Sequence, residues 1–345
     1  MHPGLAQGTA AMTKTAFITG VTGQDGSYLA ELLLKKGYRV VGLARRTTNY
    51  HFPNIAHLAG QIELEYGDLL DAAALADIIR RHQPDEVYHL AAQSVPGDSW
   101  RQPLVTGEIT ALGTLRMLEA VRLHKPDARF YQATSREIYG GVQQEVVDED
   151  TPFHANNPYG IAKLYAHQLA INYRESWDMF VCAGMLFNHE SPRRGLHFVT
   201  RKVSMGAACI RLGIQEPPLN EAGQPLVQDR RLPMGTLDAW RDWGYAKEYV
   251  EAMWLMLQQD EPRDYVIGTN TAYTIRDLCR VAFAHVCLDW QQHVVSAEQF
   301  LRPTEIFAQR GNPARAKAEL GWEPRVGFEE LICMMVDADL KLLDS

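Results

Sequence analysis

The chain has 345 residues, of which 46% are hydrophobic and 22% are charged, and its formal net charge at pH 7 is −8. This length supports one large domain or two coupled domains around a sizeable core. Because no basic stripe interleaved with aromatic residues occurs, and no apolar run approaches the roughly 18 residues of a membrane span, the sequence argues against nucleic acid and membrane partners.

The first half of the chain alternates short apolar runs with segments of helical period. Residues 1–13 read as a disordered tail without the features of a signal peptide, so we predict a cytoplasmic protein. The strand-like runs are TAFIT (15–19), RVVGL (39–43), EVYHL (86–90) and ARFYQA (128–133). Helical period marks SYLAELLLKKG from Ser27 and AAALADIIRRH from Ala72. This alternation predicts an α/β fold with a Rossmann-type, doubly wound parallel sheet.

The second half is less regular and predicts a smaller C-terminal lobe that binds substrate. A stretch rich in proline and glycine (214–233) precedes the helix-like EYVEAMWLMLQQ. We place a Rossmann domain at 14–187 and the lobe at 188–345, with segments returning to the Rossmann core. The 214–233 stretch has two interpretations, a disordered surface loop or a lid or assembly contact.

The stretch GVTGQDG closes the first strand and opens a helix. Glycines at 20, 23 and 26 remove the side chains that would keep a pyrophosphate from the backbone N–H groups, although an ordinary tight turn has the same pattern. About twenty residues later, Arg45 and Arg46 suit a ribose 2′-phosphate and favour NADP over NAD. The alternative for this arginine pair is a solvated basic turn.

Two further strand ends complete the predicted cofactor site. Asp68 follows a third strand, which lies between the RVVGL and EVYHL runs, and suits the adenine. The small residues of LAAQS end the fourth strand, EVYHL, beside the cofactor. We therefore assign to the cofactor Gly20, Thr22, Gly23, Gln24, Asp25, Gly26, Arg45, Arg46, Asp68, Leu69, Leu90, Ala91, Ala92, Gln93 and Ser94.

The stretch NPYGIAKLYA carries Tyr159 and Lys163, four residues apart and so on one helix face. An ammonium group beside the phenol would lower the pKa of Tyr159 and let it take a proton from a hydroxyl. A half-buried tyrosine covered by a lysine stem is the alternative. Ser135, at the end of the fifth strand, makes the catalytic interpretation more specific.

The five cysteines and twelve histidines show no metal-ligand spacing, so we predict no metal site.

These motifs resemble those of the GDP-mannose 4,6-dehydratases, a branch of the extended short-chain dehydrogenase/reductase family. The resemblance covers nearly the whole chain and includes PDEVYHLAAQS, NPYGIAKLYA, RDWG, GNPARAKAELGW and the more specific LFNHESPRRG followed by FVTRK. It implies oxidation at C4 of a nucleotide-bound hexose, loss of water across C5 and C6, and return of the hydride to C6.

The resemblance also implies roles for individual residues. Ser135 would bond the C4 oxygen, Glu137 would be the C5 base, and Tyr159 would be the C4-hydroxyl base, with Lys163 holding the nicotinamide ribose. His189 and Arg194 match cofactor positions. The positions matched or assigned to the GDP-sugar are Ser94, Arg136, Asn188, Val199, Lys202, Arg241, Arg302 and Glu305. A homodimer or homotetramer is implied.

The chain departs from the family pattern at several positions on the predicted sugar side. Arg136 replaces a serine between Ser135 and Glu137; further departures are Val95-Pro96, Asn156-Asn157 and Phe307. If the strand persists, Arg136 points away from Glu137. If the chain turns there, its guanidinium lies beside the carboxylate and weakens the base, or it holds an extra substrate group.

Three functions follow from these alternatives. The first is an NADP-dependent lyase, a 4,6-dehydratase of GDP-mannose or of a modified GDP-hexose or heptose. The second is a GDP-sugar C4 oxidoreductase or epimerase that does not eliminate water, expected if Arg136 disables Glu137. A non-enzymatic NADP-binding protein is disfavoured because Ser135, Tyr159 and Lys163 are all present.

Overall fold

The structure is a computed structural model and describes residues 13–48, 51–220, 223–297 and 308–344. In these residues the strands are β1 (Thr15–Thr19), β2 (Arg39–Ala44), β3 (Glu63–Tyr66), β4 (Glu86–His89), β5 (Arg129–Ser135), β6 (Val146–Val147), β7 (Val181–Leu186), β8 (Asn188–Glu190), β9 (Leu232–Met234), β10 (Trp240–Tyr245), β11 (Tyr265–Ile267), β12 (Ala272–Thr274), β13 (Val294–Ser296) and β14 (Arg310–Gly311).

The α-helices of the same residues are α1 (Gln24–Lys35), α2 (Ala72–His82), α3 (Pro96–Ser99), α4 (Pro103–Thr106), α5 (Gly113–His124), α6 (Pro158–Trp177), α7 (Val199–Leu212), α8 (Ala246–Met256), α9 (Ile275–His285), α10 (Trp290–His293) and α11 (Phe328–Leu343). 3-10 helices cover Pro53–Leu58 and Arg136–Tyr139, and π-helical turns cover Gly107–Leu112 and Ala316–Leu320.

Within the described residues, seven parallel strands form one sheet in the order β11-β7-β5-β4-β1-β2-β3. The strand order reverses between β1 and β4, and such a reversal opens a crevice at the carboxyl ends of the strands. The predicted Rossmann-type sheet is confirmed: β1 has the predicted bounds, and β2, β4 and β5 differ by one or two residues at an end.

The sheet is covered on both faces because its strands alternate apolar side chains between two cores. On β1, Ala16 and Ile18 belong to the core that contains α1 and α8, whereas Phe17 belongs to the core on the opposite face. That second core contains Leu75 of α2 and Met117 of α5. Successive side chains of a strand point to opposite faces, and cover on both faces explains why every residue of β1 is buried.

A separate core lies in the second lobe, where α7, α9 and α11 pack around β9, β10 and β13. Leu226, Val227 and Leu232, from the 214–233 stretch, are buried in it. The interpretation of that stretch as a disordered surface loop is therefore wrong for these three residues, whereas Gln215 and Leu219 are exposed. A lid or assembly role stays a prediction, as does the division of the chain at residue 187.

Helix boundaries follow local capping. Asp71 caps α2 by accepting a 3.0 Å hydrogen bond from the Ala74 N–H, so the helix begins where its apolar period begins. By contrast, α1 begins at Gln24, three residues before the periodic segment, because the glycine turn itself leads into the helix.

Among the described residues, no helix combines the length and the apolar character needed to cross a bilayer.

Candidate active site

The glycine turn after β1 lies at the carboxyl edge of the sheet, at the strand-order reversal. Gly20 has φ +76°, and a Cβ there would lie 3.0 Å from the Ala91 nitrogen; a Cβ on Gly26 would lie 2.3 Å from the Gly20 oxygen. Packing therefore requires both glycines. A Cβ on Gly23 would meet only that same oxygen, at 3.3 Å, so packing does not require glycine there. Glycine at 23 instead leaves the start of α1 open to a phosphate, which fits a dinucleotide.

Thr19 holds the ends of β1 and β4 together at this edge. Its Oγ1 accepts hydrogen bonds from the backbone N–H groups of Leu90 and Ala91, both at 3.1 Å, and lies 2.9 Å from Nδ1 of His89. Burial, helped by the Lys163 charge, lowers the pKa of His89 to about 3, so this imidazole is neutral. The sequence pattern did not single out Thr19, because its partners come from a strand seventy residues away.

Asp25 and His189, both assigned to the cofactor, form an ion pair with 2.8 Å between Oδ2 and Nε2. Burial alone would raise the pKa of Asp25, but the charge and hydrogen bond of His189 hold it below its usual value. Burial would lower the pKa of His189, and Asp25 raises it above its usual value instead. Gln24 strengthens the link by donating to the His189 carbonyl oxygen. The pair therefore ties the glycine turn to β8.

The other predicted cofactor residues lie along the same edge. Arg45 and Arg46 are exposed and directly follow β2, and Asp68 and Leu69 follow β3. The stretch from Leu90 to Ser94 follows β4. Arg194 lies beyond β8 and pairs with Glu190 at 3.0 Å.

At the end of β5 the chain turns, and Arg136 begins a 3-10 helix. The interpretation in which an extended strand points Arg136 away from Glu137 is therefore wrong. Arg136 is only 2% exposed, and its Nη2 lies 3.4 Å from Oε1 of Glu137. The Ser135 hydroxyl accepts a 3.3 Å hydrogen bond from the Glu137 N–H and so caps this short helix.

Tyr159 and Lys163 share the buried face of α6, as predicted. Burial raises the pKa of Tyr159, and its hydrogen bond with Ser135 opposes that rise. The Lys163 ammonium donates to the Ala133 carbonyl oxygen at 2.7 Å, and it lies 5.9 Å from the centre of the Tyr159 ring. The predicted lowering of the tyrosine pKa therefore has the wrong sign for this structure. Burial also lowers the pKa of Lys163 to about 8.

Asn157 is a residue of this site whose position the sequence analysis did not predict. It caps α6 by accepting a 2.8 Å hydrogen bond from the Gly160 N–H, and its amide donates to Oε2 of Glu137 at 2.7 Å. Asn before Pro at a helix start is a recognisable capping signal. The contact with a carboxylate twenty residues earlier is visible only in the tertiary structure.

Of the positions assigned to the sugar, Ser94 follows β4 and Arg136 follows β5, and the other described ones lie in the second lobe. Asn188 lies on β8 and Arg241 on the adjacent β10, while Val199 and Lys202 lie on α7. Lys202 and Arg241 are both buried. Arg302, Glu305 and Phe307 lie outside the described residues.

Comparisons with known proteins found relatives over nearly the whole chain. A family model described as GDP-mannose 4,6 dehydratase matches residues 17–335. GDP-mannose 4,6 dehydratase 1 of Arabidopsis thaliana is 45% identical over 341 residues, which cover 95% of this chain and 90% of that protein. The human GDP-mannose 4,6 dehydratase is 43% identical, over 95% of this chain and 92% of its own length.

Solved structures show the same fold. A Thermus thermophilus UDP-glucose 4-epimerase in complex with NAD superposes with a TM-score of 0.79 at 26% identity, covering 94% of this chain and 98% of that chain. The dTDP-glucose 4,6-dehydratase of Bacillus anthracis also gives a TM-score of 0.79, at 18% identity, over 96% of this chain and 98% of its own.

Proposed function

The chain belongs to the GDP-mannose 4,6-dehydratase family, and from this premise we propose that it is an NADP-dependent hydro-lyase that converts GDP-mannose into its 4-keto-6-deoxy derivative. The observation that carries this proposal is the convergence of Ser135, Glu137 and Tyr159 from three elements, namely β5, the 3-10 helix and α6. Ser135 bonds Tyr159, and the 3-10 helix that carries Glu137 packs against the start of α6.

The proposed reaction assigns each proton to a residue. Bound NADP supplies the hydride acceptor for C4 and the hydride donor for C6. Tyr159 takes the proton of the C4 hydroxyl, while Ser135 holds the C4 oxygen. The C4 carbonyl then makes the C5 hydrogen acidic, and Glu137 takes that proton. The C5–H electron pair becomes the C5=C6 bond, and the C6 hydroxyl leaves as water with the proton that Glu137 took from C5. The hydride then returns to C6, a solvent proton adds to C5, and Tyr159 releases its proton to solvent.

The edge of the sheet supports NADP as the cofactor. Arg45 and Arg46 stand exposed at the end of β2, the position at which this fold selects between a free ribose hydroxyl and a 2′-phosphate. The space at Gly23 and the buried Lys163 suit the pyrophosphate and the nicotinamide ribose. Replacing both arginines by alanine should therefore shift the preference from NADP towards NAD.

The test is mass spectrometry of the product formed from GDP-mannose and NADP in deuterated water. Loss of one water with one deuteron fixed at C5 is expected. Unchanged GDP-mannose would contradict this substrate, and the search would then move to modified GDP-hexoses and GDP-heptoses.

One observation favours a second candidate, a GDP-sugar C4 oxidoreductase or epimerase. The Arg136 guanidinium, buried 3.4 Å from Oε1 of Glu137, would occupy one of the two oxygens that could take the C5 proton. If it does so fully, the same experiment yields a 4-keto sugar that retains its C6 hydroxyl, together with net NADPH.

We also propose a cytoplasmic homodimer or homotetramer. Its support is an apolar patch on α4 and α6, which contact each other. The patch consists of Leu104, Val105, Ile161 and Tyr165, which are 84%, 45%, 57% and 43% exposed. Large exposed apolar side chains grouped in this way mark surfaces that other molecules cover.

A further inference from the structure

Both oxygens of the Glu137 carboxylate are engaged by residues of the chain itself. Oε2 accepts a 2.7 Å hydrogen bond from the Asn157 amide, and Oε1 lies 3.4 Å from the Arg136 guanidinium. All three residues are at least nine-tenths buried. Because both neighbours are donors, they complement a negatively charged carboxylate and leave it little rotational freedom.

Both polar atoms of the Asn157 side chain make hydrogen bonds. Its Oδ1 accepts from the Gly160 N–H and starts α6, while its Nδ2 holds Glu137. Tyr159 lies in the first turn of that helix. One amide group therefore fixes the base on the 3-10 helix relative to the tyrosine on α6.

Backbone packing supports the same arrangement. A Cβ on Gly160 would lie 2.5 Å from the Glu137 carbonyl oxygen, so the first turn of α6 touches the main chain of Glu137. Asn156 adds a 2.8 Å hydrogen bond to the Gly140 carbonyl oxygen, just beyond the 3-10 helix. The two segments thus form one unit, and Asn157 is its link to the carboxylate.

We propose that Asn157 is a positioning residue for water elimination, which aligns the Glu137 carboxylate with C5 of the sugar while Arg136 holds the other carboxylate oxygen. This inference rests on the proposed function. It explains two departures from the family pattern together: Arg136 and Asn157 are far apart in the sequence, but both contact the Glu137 carboxylate. A base displaced by about 1 Å loses up to about a hundredfold in rate.

The test is Asn157→Ser, with Asp71→Ser as the matched control. Serine keeps a capping oxygen in both variants, but at 157 it removes the amide Nδ2 that donates to Glu137. Asp71 caps α2, a helix that carries neither Glu137 nor Tyr159. For Asn157→Ser we expect kcat for water loss to fall by about tenfold or more, while KM for GDP-mannose and the single-turnover formation of NADPH stay near wild type. Asp71→Ser should leave both half-reactions unchanged.

A second variant keeps the inference testable if Asn157→Ser folds poorly. Asn157→Asp retains the capping oxygen and places a second carboxylate beside Glu137. This variant should therefore lower the rate of water elimination more than the rate of C4 oxidation. A double-mutant cycle of Arg136→Ser with Asn157→Ser should be non-additive, because both residues contact one carboxylate.

The outcomes separate this inference from the proposed function. A wild-type enzyme that loses no water from GDP-mannose overturns the proposed function and this inference with it. A wild-type enzyme that dehydrates, with both Asn157 variants equally active, overturns the inference alone. An equal fall in both half-reactions, tracking a lower melting temperature, would show a merely structural cap and would also overturn it.

Discussion

At the scale of single residues, the proposed function makes the carboxylate of Glu137 the group that would decide between C4 oxidation alone and water loss. It has a hydrogen-bond donor on one oxygen and a guanidinium near the other, and it lies beside the Ser135–Tyr159 pair. C4 oxidation uses the serine and the tyrosine, whereas water loss also needs a base at C5. The two half-reactions therefore depend on different side chains and can be separated by mutation.

We expect Glu137→Gln to lower kcat for dehydration by at least about a hundredfold, since a positioned general base contributes about 10²–10⁴-fold. NADPH formation in a single turnover should persist. Glu149→Gln is the control, because that carboxylate is also buried but its partners are the Val266 N–H and Arg315. Product analysis and absorbance at the NADPH band measure the two half-reactions; dehydration by Glu137→Gln at the wild-type rate would remove Glu137 as the base.

The Asp25–His189 pair gives folding stability a pH dependence. The pKa of His189 is raised, so its contribution is complete below its unfolded value of 6.5 and is lost as the pH rises through the folded value. The pKa of Asp25 is lowered, so its contribution is complete above 3.8 and is lost as the pH falls through the folded value. The pair therefore stabilises the fold most between these two unfolded values.

We expect His189→Asn to lower the melting temperature at pH 6 and to have a progressively smaller effect as the pH rises towards 9. Thermal melts across that range measure this. The control is His285→Asn, because the His285–Asp337 pair has a similar 2.6 Å separation but is exposed, and exposed pairs contribute little. A decrease in the melting temperature of the His189 variant that is the same at every pH would contradict the assigned charge state.

At the scale of secondary-structure elements, the contact between α6 and the 3-10 helix holds together the segments that carry Tyr159 and Glu137. α6 supplies Tyr159 and Lys163 from its buried face, and Gly160 lets the helix reach the main chain of Glu137. A glycine in the first turn costs helix stability, and the close approach explains its presence here.

We expect Gly160→Ala to destabilise the fold by about 1–3 kcal/mol and to lower kcat, because its Cβ would lie 2.5 Å from the Glu137 oxygen and push α6 away. Gly107→Ala is the matched control: it also lies in a helical segment, and a Cβ there would meet nothing within 4 Å. Chemical denaturation and initial rates test both variants. If Gly160→Ala is as neutral as Gly107→Ala, the two elements do not depend on this contact.

At the scale of the whole molecule, the apolar patch formed by Leu104, Val105, Ile161 and Tyr165 bears on assembly. It includes α6, the helix that also carries the catalytic pair, so subunit contact would be continuous with the element that holds the site. Assembly and activity are then expected to be linked.

We expect the double variant Leu104→Glu/Ile161→Glu to dissociate the oligomer, because a paired interface would bury two new charges. Sedimentation velocity measures the species present. Leu342→Glu is the control, a 58% exposed leucine near the end of α11 in the other lobe. An unchanged sedimentation coefficient in the double variant would remove this patch as the interface.

Local patterns in the sequence determined the Rossmann-type sheet and much of the site. The short apolar run TAFIT and the helical period from Ala72 depend on neighbouring residues, so β1 and α2 could be placed closely. The glycine turn and the Tyr159–Lys163 spacing are likewise local, and the long matching motifs pointed to the family that the comparisons confirm.

Only the tertiary structure decided how distant polar groups meet. The turn at Arg136 buries its guanidinium beside Glu137, and Asn157 reaches the same carboxylate from the start of α6. Burial also reversed the expected pKa shift of Tyr159, because removing a phenolate from water outweighs its hydrogen bond to Ser135. Desolvation and contacts between segments far apart in the chain depend on packing, and no short pattern of residues encodes them.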